Sequence, residues 1–210
     1  MAGVALNPHL EYRKKQIDLE KSAVSSYYMK SFAMDFRKHF NAFFDKAREN
    51  MANALNWKTL DFGQRKIHIK KLIKHALSFR KLNHKVNVKF EENTDKNRGT
   101  LGATNGRDLM IYDDLVKCDD HDRVVDVCAH EPDHVFQING AQTTLASTTV
   151  KKCYHNYVQP YESYNYYRQN PIEVEAFEIG RIVSNKFTEA LKQRSQKMRF
   201  MHNREYSKVA

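Results

Sequence analysis

An N-terminal stretch free of helix-breaking residues runs from about Leu10 to Trp57, where the chain contains neither proline nor glycine. Apolar and aromatic residues recur within it at three- and four-residue intervals, a spacing typical of an amphipathic helix. The stretch therefore predicts one extended helix, or two helices with a break near Ser22 to Ser26. The residues of this apolar stripe are Phe32, Phe36, Phe40, Phe43, Ala47 and Met51.

A second helical pattern begins near Thr59 or Asp61, either of which can cap a helix. The pattern has an apolar side and a lysine-rich side, so we expect the lysines on the outer face. The predicted inward residues are Phe62, Ile69, Ile73, Ala76 and Leu77, and the predicted outer residues are Lys66, Lys70, Lys71 and Lys74.

Positive charge is concentrated in the first half of the chain. Residues 1–90 contain 19 Lys and Arg against 7 Asp and Glu, a net charge of +12, whereas residues 91–210 contain 16 against 18, a net charge of −2. Such a field attracts nucleic acid, an anionic membrane surface or an acidic protein, although solvated basic helix faces are the commoner cause of this pattern.

Membrane and export signals are not found in the sequence. No window approaches the ~18 consecutive apolar residues of a membrane span, and Met1 to Lys15 lacks the basic start and apolar run of a secretory signal. The cysteines Cys118, Cys128 and Cys153 are an odd number without a C-x-x-C pair, which favours reduced, buried thiols. We therefore expect a chain without a membrane span, cytoplasmic or exported by a specialised secretion system.

The hydrophobic period changes from helical to two after Asn83. Apolar residues alternate with polar ones over residues 86–90, which predicts a half-buried strand. Polar residues from Glu91 to Gly102 indicate a loop, and an Asn-Gly turn at residues 104–107 leads into a second strand at Leu109 to Tyr112. Two strands are therefore predicted before the next helix.

The sequence His130-Glu131-Pro132-Asp133-His134 lies in a helical pattern that begins near Asp122. Histidines four residues apart share one helix face with their side chains about 5–6 Å apart, so both imidazoles can reach one zinc ion. Glu131 points to a neighbouring side, where its carboxylate can hold a water ligand of the metal and accept its proton. These residues predict a Zn²⁺ site with His130 and His134 as ligands and Glu131 as the catalytic base.

Pro132 interrupts the helical pattern two residues after His130. Its nitrogen cannot donate to the carbonyl of Cys128, and an interior proline costs about 3 kcal/mol. Three interpretations are open: a kinked helix that presents both imidazoles, a degenerate site that binds metal poorly, and a chance motif on an irregular segment. We favour the kinked helix, because packing can hold a kink between the ligands, and Asp133 is then expected to face solvent.

The motif and its surroundings resemble the zincin metallopeptidases, whose signature is H-E-x-x-H. The predicted order of two strands, active helix, connection and acidic second helix is similar to a minimal zincin domain over roughly residues 84–190, and Phe136-Gln137 resembles the H-E-x-x-H-x-x-Q variant of several bacterial families. The resemblance implies a peptidase in which Leu109 to Tyr112 lines the cleft and pairs with an extended peptide. Gly140 stands where the metzincin spacing requires histidine, which excludes that subclass.

A third zinc ligand is expected from the helix that Asn170-Pro171 opens. Its start resembles the E-x-x-A pattern that supplies the third ligand in gluzincin-like families. Glu173 and Glu175 flank the apolar stripe of this helix about equally, but Glu173 shares its side with Gly180, where a missing side chain lets the active helix approach closely. We favour Glu173; the alternative is that its carboxylate caps the helix N-terminus.

Tyrosines between residues 161 and 167 precede this helix. Zincins often use a tyrosine or a histidine to stabilise the oxyanion, so Tyr164 or Tyr167 is a candidate, although packing beneath the loop is the commoner role. His121 and His155 are also near in sequence, but a lone histidine is more often a surface or core residue.

Together these patterns predict an α+β fold, mostly helical, with a basic helical region over residues 1–83 and a zincin-like domain over residues 84–210 that pack as one unit. The predicted function is zinc-dependent hydrolysis of peptide bonds in a protein or peptide substrate, by a bacterial effector, toxin or regulatory protease. The alternative is a non-catalytic basic module that binds nucleic acid or an acidic protein partner and carries a degenerate H-E-x-x-H motif.

Overall fold

The computed structural model describes residues 9–17, 54–79, 86–94, 99–140 and 155–206. These residues form an α+β fold in which helices predominate over a small three-stranded sheet, as predicted. The first helix, α1, covers residues 9–17. The later elements are α2 (Phe62–Phe79), β1 (Asn87–Glu91), β2 (Gly102–Thr104), β3 (Asp108–Tyr112), α3 (Asp113–Lys117), α4 (His121–Gly140), α5 (Tyr164–Gln169) and α6 (Pro171–Tyr206).

Helix α2 is capped by Asp61, one of the two predicted capping residues. The Gln64 backbone N–H donates to Asp61 Oδ1 at 2.8 Å, and the Asp61 N–H donates to Gln64 Oε1 at 3.0 Å, which is a reciprocal capping box. The prediction for Phe62 is wrong, because this ring is 39% exposed and lies under the Lys66 ammonium group. Phe62 is the first residue of α2, and the first turn of this helix extends past the edge of the hydrophobic core. The predicted inward residues Ile69, Ile73 and Leu77 are buried.

The sheet has the strand order β1-β3-β2, with β1 parallel and β2 antiparallel to β3. Both predicted strands are present. The predicted loop from Glu91 to Gly102 is wrong at its ends, because Glu91 closes β1 and Gly102 opens β2. Three residues are too few to produce a period of two, so β2 had no sequence pattern of its own.

Strand β3 is the central strand, and this position corrects the predicted peptide-pairing role of Leu109 to Tyr112. Val88 pairs with Leu109 on one side, and Thr104 pairs with the same residue on the other. Both hydrogen-bonding edges of β3 are therefore occupied within the protein. Among the described strands, β2 pairs with β3 alone.

Helices α4 and α6 pack against each other at Gly180, as predicted from its missing side chain. A Cβ atom at Gly180 would lie 2.2 Å from Asp126 Oδ1 and 2.8 Å from the Asp126 backbone oxygen. Only glycine therefore permits this separation of the two helices. The contact fixes the position of the acidic first turn of α6 relative to α4, the helix that contains the motif from His130 to His134.

One hydrophobic core joins residues from both predicted parts of the chain. Ile69 and Leu72 of α2 belong to the same buried cluster as Ile111 of β3, Val124 of α4 and Phe187 of α6. The side chains of Lys70, Lys71 and Lys74 remain on the exposed face of α2, as predicted. Their binding of nucleic acid or an acidic partner stays a prediction.

Several predictions fall on residues outside the described ranges. They concern the break near Ser22 to Ser26, the apolar stripe from Phe32 to Met51, and Cys153 in the predicted connection. Of the other cysteines, Cys128 is buried and Cys118 is partly buried, both as free thiols. No described helix is long and apolar enough to cross a membrane.

Candidate metal centre

The H-E-P-D-H motif lies inside one continuous helix, α4, with Pro132 buried in its interior. The interpretation of the motif as an irregular segment is therefore wrong. Ala129 and Val135, three residues before and after the proline on the same helix, are both buried in the core. Burial of this part of α4 can hold a helix in place despite the hydrogen bond that proline cannot donate.

Three side chains converge at this point of the fold. His130 Nε2 lies 3.0 Å from His134 Nε2, and Glu173 of α6 reaches both, with its oxygens 3.5 Å and 3.3 Å from the two nitrogens. One ligand atom from each residue lies within 4.8 Å of the others, and all three residues are buried. Two nitrogens bound to one tetrahedral zinc ion at 2.0–2.1 Å would be about 3.3 Å apart. The cluster could therefore hold a metal ion.

The Glu173 carboxylate does not cap its own helix. Asn170 does so instead, since its Oδ1 accepts the Ile172 N–H at 3.2 Å. Glu173 Oε2 is buried and has no hydrogen-bond partner within the described part of the chain, while Oε1 accepts from the Tyr157 hydroxyl. A buried carboxylate oxygen without a donor costs free energy, and a metal ion is the kind of partner that would offset this cost.

The electrostatics of the cluster favour a cation. Burial alone would raise the pKa of Glu173, yet the His134 and His130 imidazoles hold that pKa well below its usual range. Burial also disfavours a charged His134, but the Glu173 carboxylate raises the pKa of His134 to about 10. In the metal-free protein a proton on His134 supplies the positive charge, and a divalent ion would take the place of that proton.

Gln137 orients His134 from behind. Its amide Nε2 donates to Glu175 Oε2 and to the Ile172 carbonyl, both at 3.0 Å, and also to Asp133 Oδ2 at 3.1 Å. The amide oxygen therefore faces His134 Nδ1 at 2.9 Å as an acceptor, which leaves Nε2 as the nitrogen for a metal. Glu175, the alternative to Glu173 as third ligand, therefore accepts a hydrogen bond from Gln137.

The same bonds correct the expectation that Asp133 faces solvent. This residue is 2% exposed and accepts a hydrogen bond from the Gln137 amide. The kinked-helix interpretation assumed that a charged residue beside the proline would point outward. Instead, Gln137 gives the Asp133 carboxylate a buried donor, and burial of a carboxylate requires such a donor.

His130 is oriented by aromatic packing. The centroids of the His130 and Phe177 rings lie 4.5 Å apart. The Arg168 guanidinium carbon lies over the Phe177 ring, 3.7 Å from its centroid. His130 Nδ1 is buried and has no hydrogen-bond partner among the described residues. Phe177 therefore holds this imidazole through ring contact.

Glu131 lies against the edge strand of the sheet. A Cβ atom at Gly102 of β2 would come within 2.7 Å of Glu131 Cγ, so glycine is required for the carboxylate to lie there. Glu131 is buried, and burial raises its pKa despite the opposing imidazoles of His130 and His134. A raised pKa brings a carboxylate closer to the range in which it can both accept and donate a proton near neutral pH.

Two tyrosines contact the cluster, and one of them was not anticipated. The Tyr157 hydroxyl donates to Glu173 Oε1 at 2.5 Å, and burial together with the nearby Glu173 charge raises the pKa of Tyr167. The other predicted oxyanion candidate, Tyr164, is 61% exposed, and His155 is exposed as well. Tyr157 follows a polar segment without periodicity, so no sequence signal pointed to it.

Comparison with protein-family models, with curated proteins and with solved structures found no match to this chain. The buried group of His130, His134 and Glu173 is thus characterised by its own geometry as a site that could hold a metal ion.

Proposed function

We propose that this chain is a zinc-dependent metallopeptidase of the H-E-x-x-H type. The observation that carries the proposal is the position of Glu173, which comes from a separate helix yet lies 3.3 Å and 3.5 Å from the nitrogens of the motif's two histidines. Two imidazoles and one carboxylate, with a glutamate beside them, are the ligands and base that peptide hydrolysis at zinc requires.

The choice of zinc follows from the ligand atoms. Imidazole nitrogens suit zinc and its neighbours among the transition metals, whereas calcium and magnesium prefer sites made of oxygens. Three protein ligands leave a fourth position open for water or substrate, as in catalytic rather than structural zinc sites. Zinc bound there would lower the pKa of a water ligand and polarise a peptide carbonyl.

Glu131 is proposed as the base. Its carboxylate accepts a proton from the attacking water as the water oxygen bonds to the peptide carbonyl carbon, and it then delivers that proton to the leaving amine as the carbon–nitrogen bond breaks. Its burial raises its pKa, which supports this return of the proton. Tyr167 and Tyr157 lie on the Glu173 side of the site and would hold the ligand carboxylate in position.

The proposed substrate is an extended peptide. Glu131 lies against Gly102 in β2, and β2 pairs with β3 alone among the described strands. A peptide that added to the other side of β2 would run past the Glu131 carboxylate, with main-chain hydrogen bonds holding its scissile bond near the metal. This role replaces the one that the sequence suggested for Leu109 to Tyr112.

Metal analysis of the purified protein tests the site. We expect about one zinc per chain in the wild type, and loss of most of it in His134→Ala and in Glu173→Gln. The matched control is Glu178→Gln on the same helix, since Glu178 is ion-paired with Arg181 on the surface, away from the cluster. A wild-type protein without stoichiometric zinc, or full zinc retention in His134→Ala, would refute the proposed site.

Hydrolysis is tested separately with a peptide library read by mass spectrometry. Glu131→Gln is expected to retain zinc, since Glu131 is not a proposed ligand, and to lose cleavage by at least a hundredfold, the scale of general-base catalysis. Cleavage that persists at the wild-type rate in a zinc-loaded Glu131→Gln protein would contradict the role of Glu131. The cleavage sites of the wild type would also define the specificity.

A further inference from the structure

A second pair of histidines converges elsewhere in the fold. His68 of α2 and His121, the first residue of α4, have their Nε2 atoms 3.0 Å apart. This separation equals the one between His130 Nε2 and His134 Nε2 in the candidate metal centre. His121 and His130 are nine positions apart in α4, about 13.5 Å along the helix axis. The second pair is therefore a different location.

The second pair is poorly served by hydrogen bonding alone. A hydrogen bond between the two Nε2 atoms needs a hydrogen on only one of them. The imidazole that accepts this bond is neutral, so it must carry its single N–H hydrogen on Nδ1. The Nδ1 atoms of His68 and His121 are both buried, and neither has a hydrogen-bond partner among the residues that the structure describes. A buried donor without an acceptor costs more free energy than one hydrogen bond contributes. The shared proton does not account for the arrangement.

Both imidazoles have lone pairs to offer at neutral pH. Burial lowers the pKa of His68 to about 3, and His121 adds to this effect. Burial also lowers the pKa of His121 to about 4, against the opposing Asp120 carboxylate. Two neutral imidazoles whose Nε2 atoms lie 3.0 Å apart can both bind one metal ion if the rings turn so that the two lone pairs meet at one point and the nitrogens separate toward the ~3.3 Å of a tetrahedral site.

A cavity of about 580 Å³ at the start of α4 gives access to His121 of the pair. Its lining also includes Trp57, Lys58 and three aspartates, Asp119, Asp120 and Asp122, of which Asp119 is ion-paired with Arg65. The negative charge attracts a cation, and carboxylates or water can complete a coordination shell that two imidazoles leave incomplete.

We propose that His68 and His121 form a second metal site, which takes a borderline transition-metal ion of the Cu²⁺, Ni²⁺ or Zn²⁺ type. The ligand atoms decide the class of ion, since imidazole nitrogens select these metals over Ca²⁺ and Mg²⁺. A metal ion bound here would link α2, in the basic region of residues 1–83, to His121 at the start of α4. It would hold these two helices together. This inference does not depend on the proposed peptidase activity.

Trp57 provides a direct readout, because it is the single tryptophan of the chain and its ring lies 5.6 Å from His68 and 5.3 Å from His121. The experiment titrates Cu²⁺ into a His134→Ala background, in which the first centre lacks a ligand, and follows tryptophan fluorescence. We expect saturable quenching at one equivalent, and recovery of the fluorescence when the chelator EDTA removes the Cu²⁺.

Two substitutions identify the ligands. His121→Phe keeps an aromatic ring in the partly exposed position, and His68→Phe keeps one in the buried position. Each variant is expected to weaken Cu²⁺ binding at least tenfold. Circular dichroism checks that each variant is folded. The exposed His155→Ala is the matched control and should leave the titration unchanged. Non-saturable quenching, or a titration that is unchanged in folded His121→Phe, would overturn the site. Should both phenylalanine variants fail to fold, electron paramagnetic resonance of the Cu²⁺-loaded background decides: two imidazole nitrogens support the pair, and none or one overturns it.

Discussion

Tyr157 donates its hydroxyl hydrogen to Glu173 Oε1 at 2.5 Å, which links the end of the polar connection to the carboxylate of the candidate metal centre. Burial and the neighbouring Glu173 charge raise the pKa of Tyr157 well above its usual range, so this hydroxyl remains a donor at any working pH. The bond constrains one carboxylate oxygen and leaves Oε2 for His130 and a metal. Tyr157 thus positions the Glu173 ligand, as Gln137 positions His134.

Removal of this hydroxyl in Tyr157→Phe should weaken zinc binding by about tenfold, the lower end of what hydrogen-bond partners of metal ligands contribute. The carboxylate would gain rotational freedom and lose one donor. Competition with a chromophoric chelator measures the affinity. Tyr164→Phe is the control, because Tyr164 is 61% exposed and should give the wild-type value. Equal affinity in both variants would show that Tyr157 does not position Glu173.

Helix α1 reaches this tyrosine through Arg13. The guanidinium donates to the Tyr157 carbonyl at 2.8 Å and forms an ion pair with Glu162 at 2.5 Å, and both side chains of the pair are largely covered. Arg13→Ala should therefore weaken zinc binding in the same direction as Tyr157→Phe, by about two- to fivefold, the scale of a partly exposed ion pair.

The double variant tests this coupling. Because Arg13 is proposed to act through Tyr157, the effects of Arg13→Ala and Tyr157→Phe on zinc affinity should not add. Lys15→Ala is the control on the same helix, since Lys15 is exposed. Fully additive losses would mean that Arg13 affects the site by another route.

Much of the candidate centre follows from local spacing in the sequence. His130 and His134 share a face because they are four residues apart, and Gly180 marks the approach of the two helices because it has no side chain. Glu173 could be preferred over Glu175 from the same helical geometry. Each of these features depends on residues of one helix, for which the period of 3.6 residues is a sufficient guide.

The features that were missed depend on contacts between distant segments. Tyr157 and Arg13 are separated by more than a hundred positions and belong to no periodic pattern, yet they meet at the centre. The His68 and His121 pair likewise joins two helices that the sequence placed in different parts. The burial of Asp133 was not predicted. Its hydrogen-bond donor, Gln137, was considered only as part of the H-E-x-x-H-x-x-Q pattern and not as a partner for a buried carboxylate.

The pH dependence of metal binding follows from His134. In the metal-free protein its pKa is raised to about 10 by Glu173, so below that pH a proton must leave before a metal can bind. Zinc affinity should therefore rise with pH between 6 and 8, with close to one proton released from His134 per zinc. Calorimetry in buffers of different ionisation enthalpy counts the protons. A proton count near zero per bound zinc would contradict this assignment.

The second histidine pair predicts a loss of stability in acid. The folded-state pKa of His68 is about 3 against an ordinary value of 6.5, so between these values the unfolded chain binds a proton that the folded protein does not. Stability should fall as the pH decreases from 6.5, by up to about 1.4 kcal/mol per pH unit from this residue. Urea unfolding of chelator-treated protein at pH 7, 6 and 5 measures the slope. His68→Phe should be less sensitive to acid over this range, and an identical slope would argue against a neutral, buried His68.

The contact between α4 and α6 can be tested at Gly180. In Gly180→Ala the new methyl group would meet Asp126 Oδ1 and, at 2.8 Å, the Asp126 backbone oxygen. The side chain can rotate away, but the backbone cannot, so the helices must separate at a cost of about 1–3 kcal/mol. Zinc affinity should fall as well, because Glu173 reaches the imidazoles from the helix that is displaced. Asp126→Ala should not rescue the variant, since the backbone oxygen remains. Gly63→Ala near the start of α2 is the control: its methyl group approaches only the Asp61 side chain, at 3.3 Å, and is expected to leave both stability and zinc affinity near their wild-type values.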